Sequence, residues 1–352
     1  MSALRATRAR ILERARVDGA FDLLFVPAVL LLMVLYLSIF NEYFLDPINI
    51  RNIFLQGAVL AFVAFGMTFV ILAGELDLSV GAVVALTSVV AAHVMRDSGS
   101  VLLGFAAALG VGALVGAVNG LIVTVLQVPS FIATLGTMVT AQGIALASTD
   151  GTTIAPLPSG VGTLATSSFL GITLLIWLTV GVFLLLLAVQ TQTRFGLRVF
   201  AIGGNREAAR LAAVPVARVR FLVFVLSGTL AAVGGIALTA RVQSGQPTAG
   251  GLLALTAIAA VVVGGTDVFG GKGSIVRTVW GVLLISVLTN GLDLIGVNDD
   301  LQQVIVGVVF VLAASTGFVR RQFGRRRSRR VAIEVERGRG DPSPAPVPEG
   351  VA

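Results

Sequence analysis

Few side chains in this sequence of 352 residues could carry out covalent or metal chemistry. There is no cysteine, one histidine (His93) and one lysine (Lys272), which leaves no thiolate and little for a metal site or a Schiff base. The apolar runs contain no paired aspartates, no histidine cluster and no serine with a lysine, which an intramembrane hydrolase would need. The sequence therefore predicts no catalytic residue, no metal site and no bound cofactor.

A glycine-rich segment, Gly264–Gly273, is the one place where a nucleotide-binding loop could be sought. A phosphate-binding loop needs the pattern G-x-x-x-x-G-K-[ST]. Here Lys272 is followed by Gly273, and the position five before Gly271 is Thr266. The segment also follows an apolar run, so we expect a tight cytoplasmic turn and no ATP site.

Two acids, Glu75 and Asp77, interrupt a long apolar region. A charged side chain at the centre of a bilayer costs about 3 kcal/mol, so their presence needs a reason. One interpretation is a short cytoplasmic turn in which Asp77 or Ser79 caps the following helix; the other is a polar hinge that lines a translocation path. The spacing Gly-x-x-Asp-apolar-x-x-Gly at Gly74–Gly81 recurs at Gly264–Gly271, through an internal repeat or by coincidence.

The segment from Thr191 to Arg220 is the only long charged interruption between apolar runs, with six arginines and one acid, Glu207. Asn205 is a good helix N-cap, the residues after it are rich in alanine, and Pro215 ends the pattern. We therefore predict a two-turn helix over Asn205–Ala213 at the cytoplasmic surface. A short rigid helix in that place suits docking into the groove of a partner protein.

The elements that must position these residues are apolar helices. The chain is 56% hydrophobic and 12% charged, with a mean hydropathy of +0.96, whereas soluble proteins have about 25% charged residues. Many runs reach the length of about 20 residues that a helical span needs, and they do not alternate in polarity as barrel strands do. The sequence predicts an all-α polytopic membrane protein.

About ten apolar runs are predicted to be transmembrane helices within residues 21–319. The first is Phe21–Phe40, which is too long for the core of a signal peptide. The eighth, Leu252–Val263, is short for a full crossing and is a candidate half-helix; the others begin near residues 53, 80, 101, 131, 169, 221, 275 and 301. Residues 1–20 are predicted to be a cytoplasmic arm, and residues 320–352, rich in arginine and then in proline, a disordered cytoplasmic tail.

The distribution of charges predicts that both termini are cytoplasmic. With ten spans, Thr191–Arg220, Lys272 and the arginine-rich ends fall on the inner side, as the positive-inside rule requires. Arg51, Arg96 and Arg241 fall outside but close to membrane boundaries. The net charge of +7 is therefore explained by topology, and we expect no nucleic-acid partner.

Several motifs together resemble those of the permease subunit of bacterial ATP-binding-cassette (ABC) importers of the ribose/xylose type. The resemblance covers nearly all of residues 20–320, and it is specific because the motifs occur together and in order. They are Val70–Gly81 (VILAGELDLSVG), Leu135–Met138 (LGTM), Thr193–Gly196 (TRFG), Ala201–Asn205 (AIGGN), Gln246–Gly250 (QPTAG), Ala257–Val262 (AIAAVV), Gly264–Thr266 (GGT), Gly270–Gly273 (GGKG) and Asn290–Leu292 (NGL).

The resemblance implies a transport subunit of the bacterial cytoplasmic membrane that is not itself an enzyme. Two permease copies would form the pore in the lipid bilayer, an extracytoplasmic binding protein would deliver a monosaccharide, and separate ATPase subunits would bind ATP and Mg²⁺ inside. The ATPase-coupling helix matches Asn205, Arg206, Glu207, Ala208, Ala209, Arg210 and Leu211. The translocation path or gate matches Asp77, Ser79, Gln142, Gln246, Pro247 and Thr248.

Three positions depart from the family pattern. Gln142 stands where relatives often have arginine, Leu253–Thr256 lacks two acids that many relatives carry, and Ala213 replaces a common glycine near the end of the coupling helix. Loss of the two acids predicts either a different substrate or a heterodimer whose sister permease keeps them.

Two other transport functions stay open at this point. A related ABC permease for branched-chain amino acids or nucleosides would differ mainly in its substrate, and Gln246–Gly250 favours a sugar. An ion-coupled secondary transporter would need carboxylates near the middle of the membrane. Glu75 and Asp77 could serve in that way only if the second span were broken.

Overall fold

The computed structural model describes residues 24–298, 300–309, 311–312 and 315. Within them the chain is mostly helical, as the sequence predicts, with one short hairpin. The elements are α1 (Leu24–Phe40), α2 (Pro47–Leu72), α3 (Val80–Ser98), α4 (Val101–Thr124), α5 (Ser130–Ala147), α6 (Thr163–Thr166), β1 (Ser168–Phe169), β2 (Ile172–Thr173), α7 (Leu174–Gln192), α8 (Arg194–Gly204), α9 (Arg206–Leu211), α10 (Val216–Val242), α11 (Leu253–Val263), α12 (Ile275–Leu294) and α13 (Asp300–Val309). The predicted arm 1–20 and tail 320–352 lie outside the described residues.

Seven of the described helices are long and apolar enough to cross a membrane, namely α2, α3, α4, α5, α7, α10 and α12. The predicted first, eighth and tenth spans correspond to the shorter apolar helices α1, α11 and α13. The predicted first and tenth spans also include residues outside the described ranges. Helix α11 has 11 residues, or about 16 Å at 1.5 Å per residue, which is about half of a bilayer core.

The structure differs from the sequence prediction at two elements. Strands β1 and β2 pair where the sixth span was expected to begin, so α7 starts at Leu174. The turn between them has positive φ at Leu170 and Gly171, as tight hairpin turns require. The basic segment also contains α8, which the prediction omits. This helix is amphipathic, because Val199 and Ile202 are buried on one side while its arginines are not.

Helix α2 is the centre of the bundle. In an apolar stretch of 18 residues in α2, 94% is buried, because α7, α8, α10, α11 and α12 pack around it. The corresponding share is 22% for α4, 22% for α5 and 17% for α7, so these three helices expose apolar faces outward. In a membrane protein such faces contact lipid, which makes α4, α5 and α7 the outer layer.

Helices α4 and α10 contact each other along a line of glycines. A Cβ on Gly228 would lie 2.3 Å from the carbonyl oxygen of Gly112, and a Cβ on Gly116 would lie 2.4 Å from that of Phe224. Small residues let helix backbones approach this closely, which is the main way that helices pack in membranes. The contact fixes the position of α10, which supplies two side chains to the site described next.

Candidate functional site

Helix α9 is an exposed part of the basic segment Thr191–Arg220. The Asn205 side chain accepts a hydrogen bond from the Ala208 backbone N–H at 3.0 Å, which confirms the predicted N-cap. The helix ends at Leu211, close to the predicted end, and Leu211 is 81% exposed. Among its six residues only Ala209 is buried, so α9 presents most of its surface outward: Arg206, Glu207, Ala208, Arg210 and Leu211 are all exposed.

Ala213 follows α9 with φ of 58°. This is the left-handed region that glycine adopts at low cost and that other residues rarely adopt, and it commonly ends a helix. The departure from the expected glycine at this position therefore falls on a backbone conformation that favours glycine.

A buried carboxylate connects α9 to the interior. Glu75 lies in the connection between α2 and α3 (residues 73–79) and is 5% exposed. Its Oε1 accepts hydrogen bonds from Arg206 Nη2 on α9 at 2.5 Å and from Arg220 Nε on α10 at 2.6 Å. The Arg220 side chain is buried, whereas that of Arg206 is about half exposed. We call Glu75, Arg206 and Arg220 the charged triad; it ties the surface helix to two parts of the bundle.

Four glycines bring α8 against the same connection. The backbone N–H of Gly271 donates to the carbonyl of Leu72 at 3.0 Å. A Cβ on Gly203, near the end of α8, would lie 1.8 Å from that carbonyl oxygen, and a Cβ on Gly270 would lie 2.8 Å from the backbone nitrogen of Gly74. We call Gly74, Gly203, Gly270 and Gly271 the glycine joint. Because only backbone fits there, α8 cannot shift without displacing the end of α2.

The glycine-rich segment is the tight turn that the sequence predicts. The Asp267 backbone N–H donates to the Lys272 carbonyl at 2.9 Å, which closes the turn. Its start also resembles the end of α2: Glu75 N–H bonds back to Val70, and Thr266 N–H bonds back to Val261, after a glycine of positive φ. In structure, Glu75 therefore corresponds to Thr266, 191 residues later. The sequence motif instead aligns Gly74 with Gly264, which are 190 residues apart.

Asp77 is held in a different way, by hydroxyl and amide groups. It is 1% exposed; Oδ1 accepts from the Ser79 N–H at 3.1 Å and from Ser79 Oγ at 2.6 Å, and Oδ2 accepts from Ser227 Oγ on α10 at 2.8 Å. Ser79 in turn accepts from Asn119 Nδ2 on α4 at 2.9 Å, and Asn119 Oδ1 accepts from Thr137 Oγ1 on α5 at 2.6 Å. We call these five residues the hydroxyl network.

The hydroxyl network joins the start of α3 to three spans. No cation hydrogen-bonds to Asp77 among the described residues. Burial raises the pKa of the Asp77 carboxyl above its usual range, and the hydrogen bonds from Ser79 and Ser227 lower it only in part. Ser79 occupies the N-cap position of α3 but makes no side-chain hydrogen bond to the helix, so its role lies in the network.

A non-helical segment, residues 245–250, follows α10 and precedes α11; Gly245 forms a β-bridge, and residues 247–250 form a turn. Gly245 packs against Ala92 and Gly250 packs against Gly81, both on α3. Those two positions on α3 are about 16 Å apart at 1.5 Å per residue. The segment therefore lies alongside α3 between these two positions, before α11 begins.

The 245–250 segment hydrogen-bonds to the side chains and backbone around it. Gly245 exchanges two backbone hydrogen bonds with Ile154 at 3.0 Å. The Gln246 N–H donates to Ser88 Oγ at 3.1 Å, and Gln142 Nε2 donates to the Pro247 carbonyl at 2.7 Å. Pro247 is buried, Gln246 is half-buried and Thr248 is exposed.

The structure thus divides the predicted path residues into two groups. The first group is the 245–250 segment, with Gln246, Pro247 and Thr248, and Gln142, which bonds to it. The second group is Asp77 and Ser79, which belong to the hydroxyl network. No hydrogen bond links the two groups in the part of the chain that the structure describes.

Sequence reasoning missed several residues of this site. Glu207, a predicted coupling residue, is exposed on α9, whereas the buried acid that bonds to α9 is Glu75. The partners of Glu75 are 131 and 145 residues away in the chain, so no local pattern could assign them. Asn119 could have been noticed, because an amide inside an apolar span needs a hydrogen-bonding partner.

Comparison with known proteins identifies the family. Residues 49–314 match the model of a family described as the permease component of a branched-chain amino acid transport system. The chain is 42% identical to the ribose import permease protein RbsC of Bacillus subtilis over 303 residues, which are 86% of this chain and 94% of that protein.

Two relatives from Escherichia coli K12 match almost as fully. The ribose import permease protein RbsC is 40% identical over 81% of this chain and 90% of that protein. The L-arabinose transport system permease protein AraH is 36% identical over 85% of this chain and 90% of that protein. No solved structure matches the chain. The chain belongs to this family of transport-system permease components.

Proposed function

We propose that this protein is the membrane-spanning subunit of an ATP-driven importer of a monosaccharide, located in the bacterial cytoplasmic membrane. The relatives named above for ribose and L-arabinose support a sugar over a branched-chain amino acid, although the family description names the latter. Ribose is the first substrate to test. This subunit supplies the path, and ATP and Mg²⁺ bind to separate ATPase subunits.

The observation that carries the proposal is the anchored helix α9. It is exposed on nearly every side, yet Arg206 ties it to the buried carboxylate of Glu75. An exposed, capped helix can seat in the groove of an ATPase subunit. Residues Asn205–Leu211 would then be the contact through which ATP-driven motion enters the membrane domain.

The charged triad and the glycine joint provide the route for that motion. A displacement of α9 acts on Arg206, and Glu75 shares it with Arg220 on α10. Breaking a buried ion pair by removing one partner is costly, so the three groups move together. The glycine joint adds a close backbone contact between α8 and the end of α2, so a movement of α8 toward α2 acts directly on the last turn of α2.

We propose that the 245–250 segment lines the translocation path. Non-helical backbone at membrane depth occurs where it is buried in protein or lines a cavity, and broken spans are common at transport sites. Gln142 and Gln246 offer amide groups that can exchange hydrogen bonds with sugar hydroxyls. Asp77 and Ser79 then hold the helices around the path, and Thr248 lies on the exposed side of the segment.

The full topology and assembly follow from the same proposal. Ten crossings, the eighth made by residues 245–250 together with the short α11, put both termini and α9 on the cytoplasmic side. A second permease subunit, identical or a sister chain, completes the pore, and an extracytoplasmic binding protein delivers the sugar. Leu253–Thr256, which opens α11, carries no acid, and this fits either a substrate that needs none or a sister chain that supplies them.

The test uses proteoliposomes that contain the permease with its own ATPase and binding protein. Leu211→Asp places a charge on the exposed face of α9, and Leu197→Asp, on α8 at 66% exposure, is the matched control. We expect Leu211→Asp to lose ATPase co-purification and ribose uptake, while Leu197→Asp keeps both. Equal effects of the two variants would contradict α9 as the docking helix. Uptake driven by an ion gradient without ATP would contradict the importer itself.

A further inference from the structure

A polar cavity lies away from the charged triad, at the start of α12. It measures about 520 Å³ and lies between α1, the end of α11 and the first turns of α12. Its lining contains two cations, Lys272 and Arg277, and a tryptophan, Trp280. The remaining lining residues are apolar, small or hydroxylic: Val26, Pro27, Gly264, Gly273, Ser274 and Val276.

Among the described residues that line the cavity, none is a carboxylate that could pair with its two cations. Lys272 is exposed, and Arg277 makes one long hydrogen bond, at 3.5 Å, to the Gly265 carbonyl. A guanidinium has five N–H donors, so most of those on Arg277 can bind a ligand. The acid on the same turn, Asp267, accepts from the Phe269 N–H and does not line the cavity.

The position of Arg277 adds to the positive potential. It is the third residue of α12, a helix of 20 residues. A helix N-terminus carries a partial positive charge, so a cation there is unfavourable unless an anion is close by. Lys272 lies two residues before the N-cap Ser274 and contributes to the same field.

The apolar part of the lining shows which anion fits. Trp280 is 38% exposed and Val276 is 40% exposed, next to the cations, along the outward side of α12. Trp at a membrane boundary lies at headgroup level, and basic pockets between spans on the cytoplasmic side bind anionic lipid headgroups. The glycine joint places this cavity at the same end of the bundle as α9.

We propose that this cavity binds the phosphate headgroup of an anionic phospholipid, with its acyl chains against Trp280 and Val276. Lys272 and Arg277 hold the phosphate, and the start of α12 supports its charge. The cavity is separate from the 245–250 segment and from α9. The lipid proposal therefore does not depend on whether that segment lines the translocation path.

The two tryptophans of the chain allow a direct test. Trp177→Phe leaves Trp280 as the only tryptophan, and Trp280→Phe leaves Trp177, at the β hairpin, as the matched reference. The full-length protein is placed in nanodiscs that contain phosphatidylcholine and a fraction of brominated phosphatidylglycerol or brominated phosphatidylcholine. We expect brominated phosphatidylglycerol to quench Trp280 at a concentration roughly tenfold lower than brominated phosphatidylcholine. Trp177 should show no such preference.

Charge variants then assign the effect to the cavity. In the Trp177→Phe background, Lys272→Ala with Arg277→Ala should remove the preference. Arg194→Ala with Arg198→Ala removes the same charge from α8 and should leave it intact. Equal quenching by the two lipids, or equal loss in both pairs of variants, would overturn the proposal. Displacement by millimolar inorganic phosphate would overturn it too, because that result would show a site for a free anion.

Discussion

Glu75 and Asp77 are two buried carboxylates, two residues apart, with different surroundings. Glu75 accepts hydrogen bonds from two guanidinium groups, one of which belongs to the exposed helix α9. Asp77 accepts from the hydroxyls of Ser79 and Ser227 and from the backbone N–H of Ser79. An asparagine and a threonine extend its network into α4 and α5.

The difference shows how one short connection can serve two purposes. The hydrogen bond from Arg206 to the buried Glu75 gives the surface helix α9, which has little buried area of its own, one defined contact with the bundle. Hydroxyl and amide groups instead align spans that already pack together, and each adds a modest amount of stability. We therefore assign Glu75 to the transmission of motion from α9 and Asp77 to the alignment of α3, α4, α5 and α10.

The largest expected effect is that of Glu75→Gln. The neutral amide leaves Arg220 buried without a counter-charge, which should cost roughly 3 kcal/mol of unfolding free energy. Arg206 is about half exposed and adds little, because water screens it. Chemical denaturation in detergent micelles measures the change, and ribose uptake per ATP hydrolysed should fall with it.

Glu207→Gln is the control for that prediction, because Glu207 is an acid on the exposed side of α9. Its unfolding free energy should change by less than about 0.5 kcal/mol. Equal losses of unfolding free energy in the two variants would show that the buried ion pair of Glu75 adds no stability. The distinction drawn between Glu75 and Asp77 would then be wrong.

The next effect concerns the glycine joint on the Glu75 side. Gly203→Ala would put a Cβ 1.8 Å from the Leu72 carbonyl oxygen, and backbone atoms cannot yield as side chains do. Overpacking of this kind costs about 1–3 kcal/mol. Gly204→Ala is an ideal neighbour for comparison, since a Cβ there meets nothing within 4 Å. Denaturation midpoints that fall equally in both variants would exclude a steric cause.

The sequence could predict what is local and could not predict what is distant. The helix after Asn205 follows from a cap and alanine-rich residues, and the short α11 follows from the length of an apolar run. Both rest on neighbours in the chain, and the structure confirms both. Glu75 pairs with residues far along the chain, so its ion pairs could not be assigned from the sequence around it. Helix α8 was missed because its two arginines and three glycines hid a buried face at Val199 and Ile202.

Asp77→Asn makes the same chemical change as Glu75→Gln and should cost less, about 1 kcal/mol. The Asn carbonyl still accepts from Ser79, and its amide can donate to Ser227 once that hydroxyl rotates. A loss as large as that of Glu75→Gln would mean that the network holds a charge that the protein needs.

The pH dependence of stability sharpens the same comparison. The raised pKa of Asp77 means that the folded state holds this proton more tightly than the unfolded state. Its contribution is therefore fully present below the unfolded pKa and is lost as the pH rises through the folded pKa. In Asp77→Asn this contribution to the pH dependence of the unfolding free energy should vanish. Chemical denaturation at several pH values measures it. An unchanged slope would contradict the environment assigned to Asp77.

The smallest effect belongs to the far end of the hydroxyl network. Thr137→Val keeps the shape of the side chain but removes the hydroxyl that donates to Asn119 Oδ1 at 2.6 Å. We expect a loss of about 1 kcal/mol, because Asn119 is fully buried and its oxygen is left without this donor. Thr140→Val on the same helix removes a hydroxyl that bonds only to its own helix, at Gly136, and is the matched control. If both changes cost the same, the network ends at Asn119 and α5 is held by packing alone; a larger cost for Thr137 extends the alignment role of Asp77 across to the outer layer.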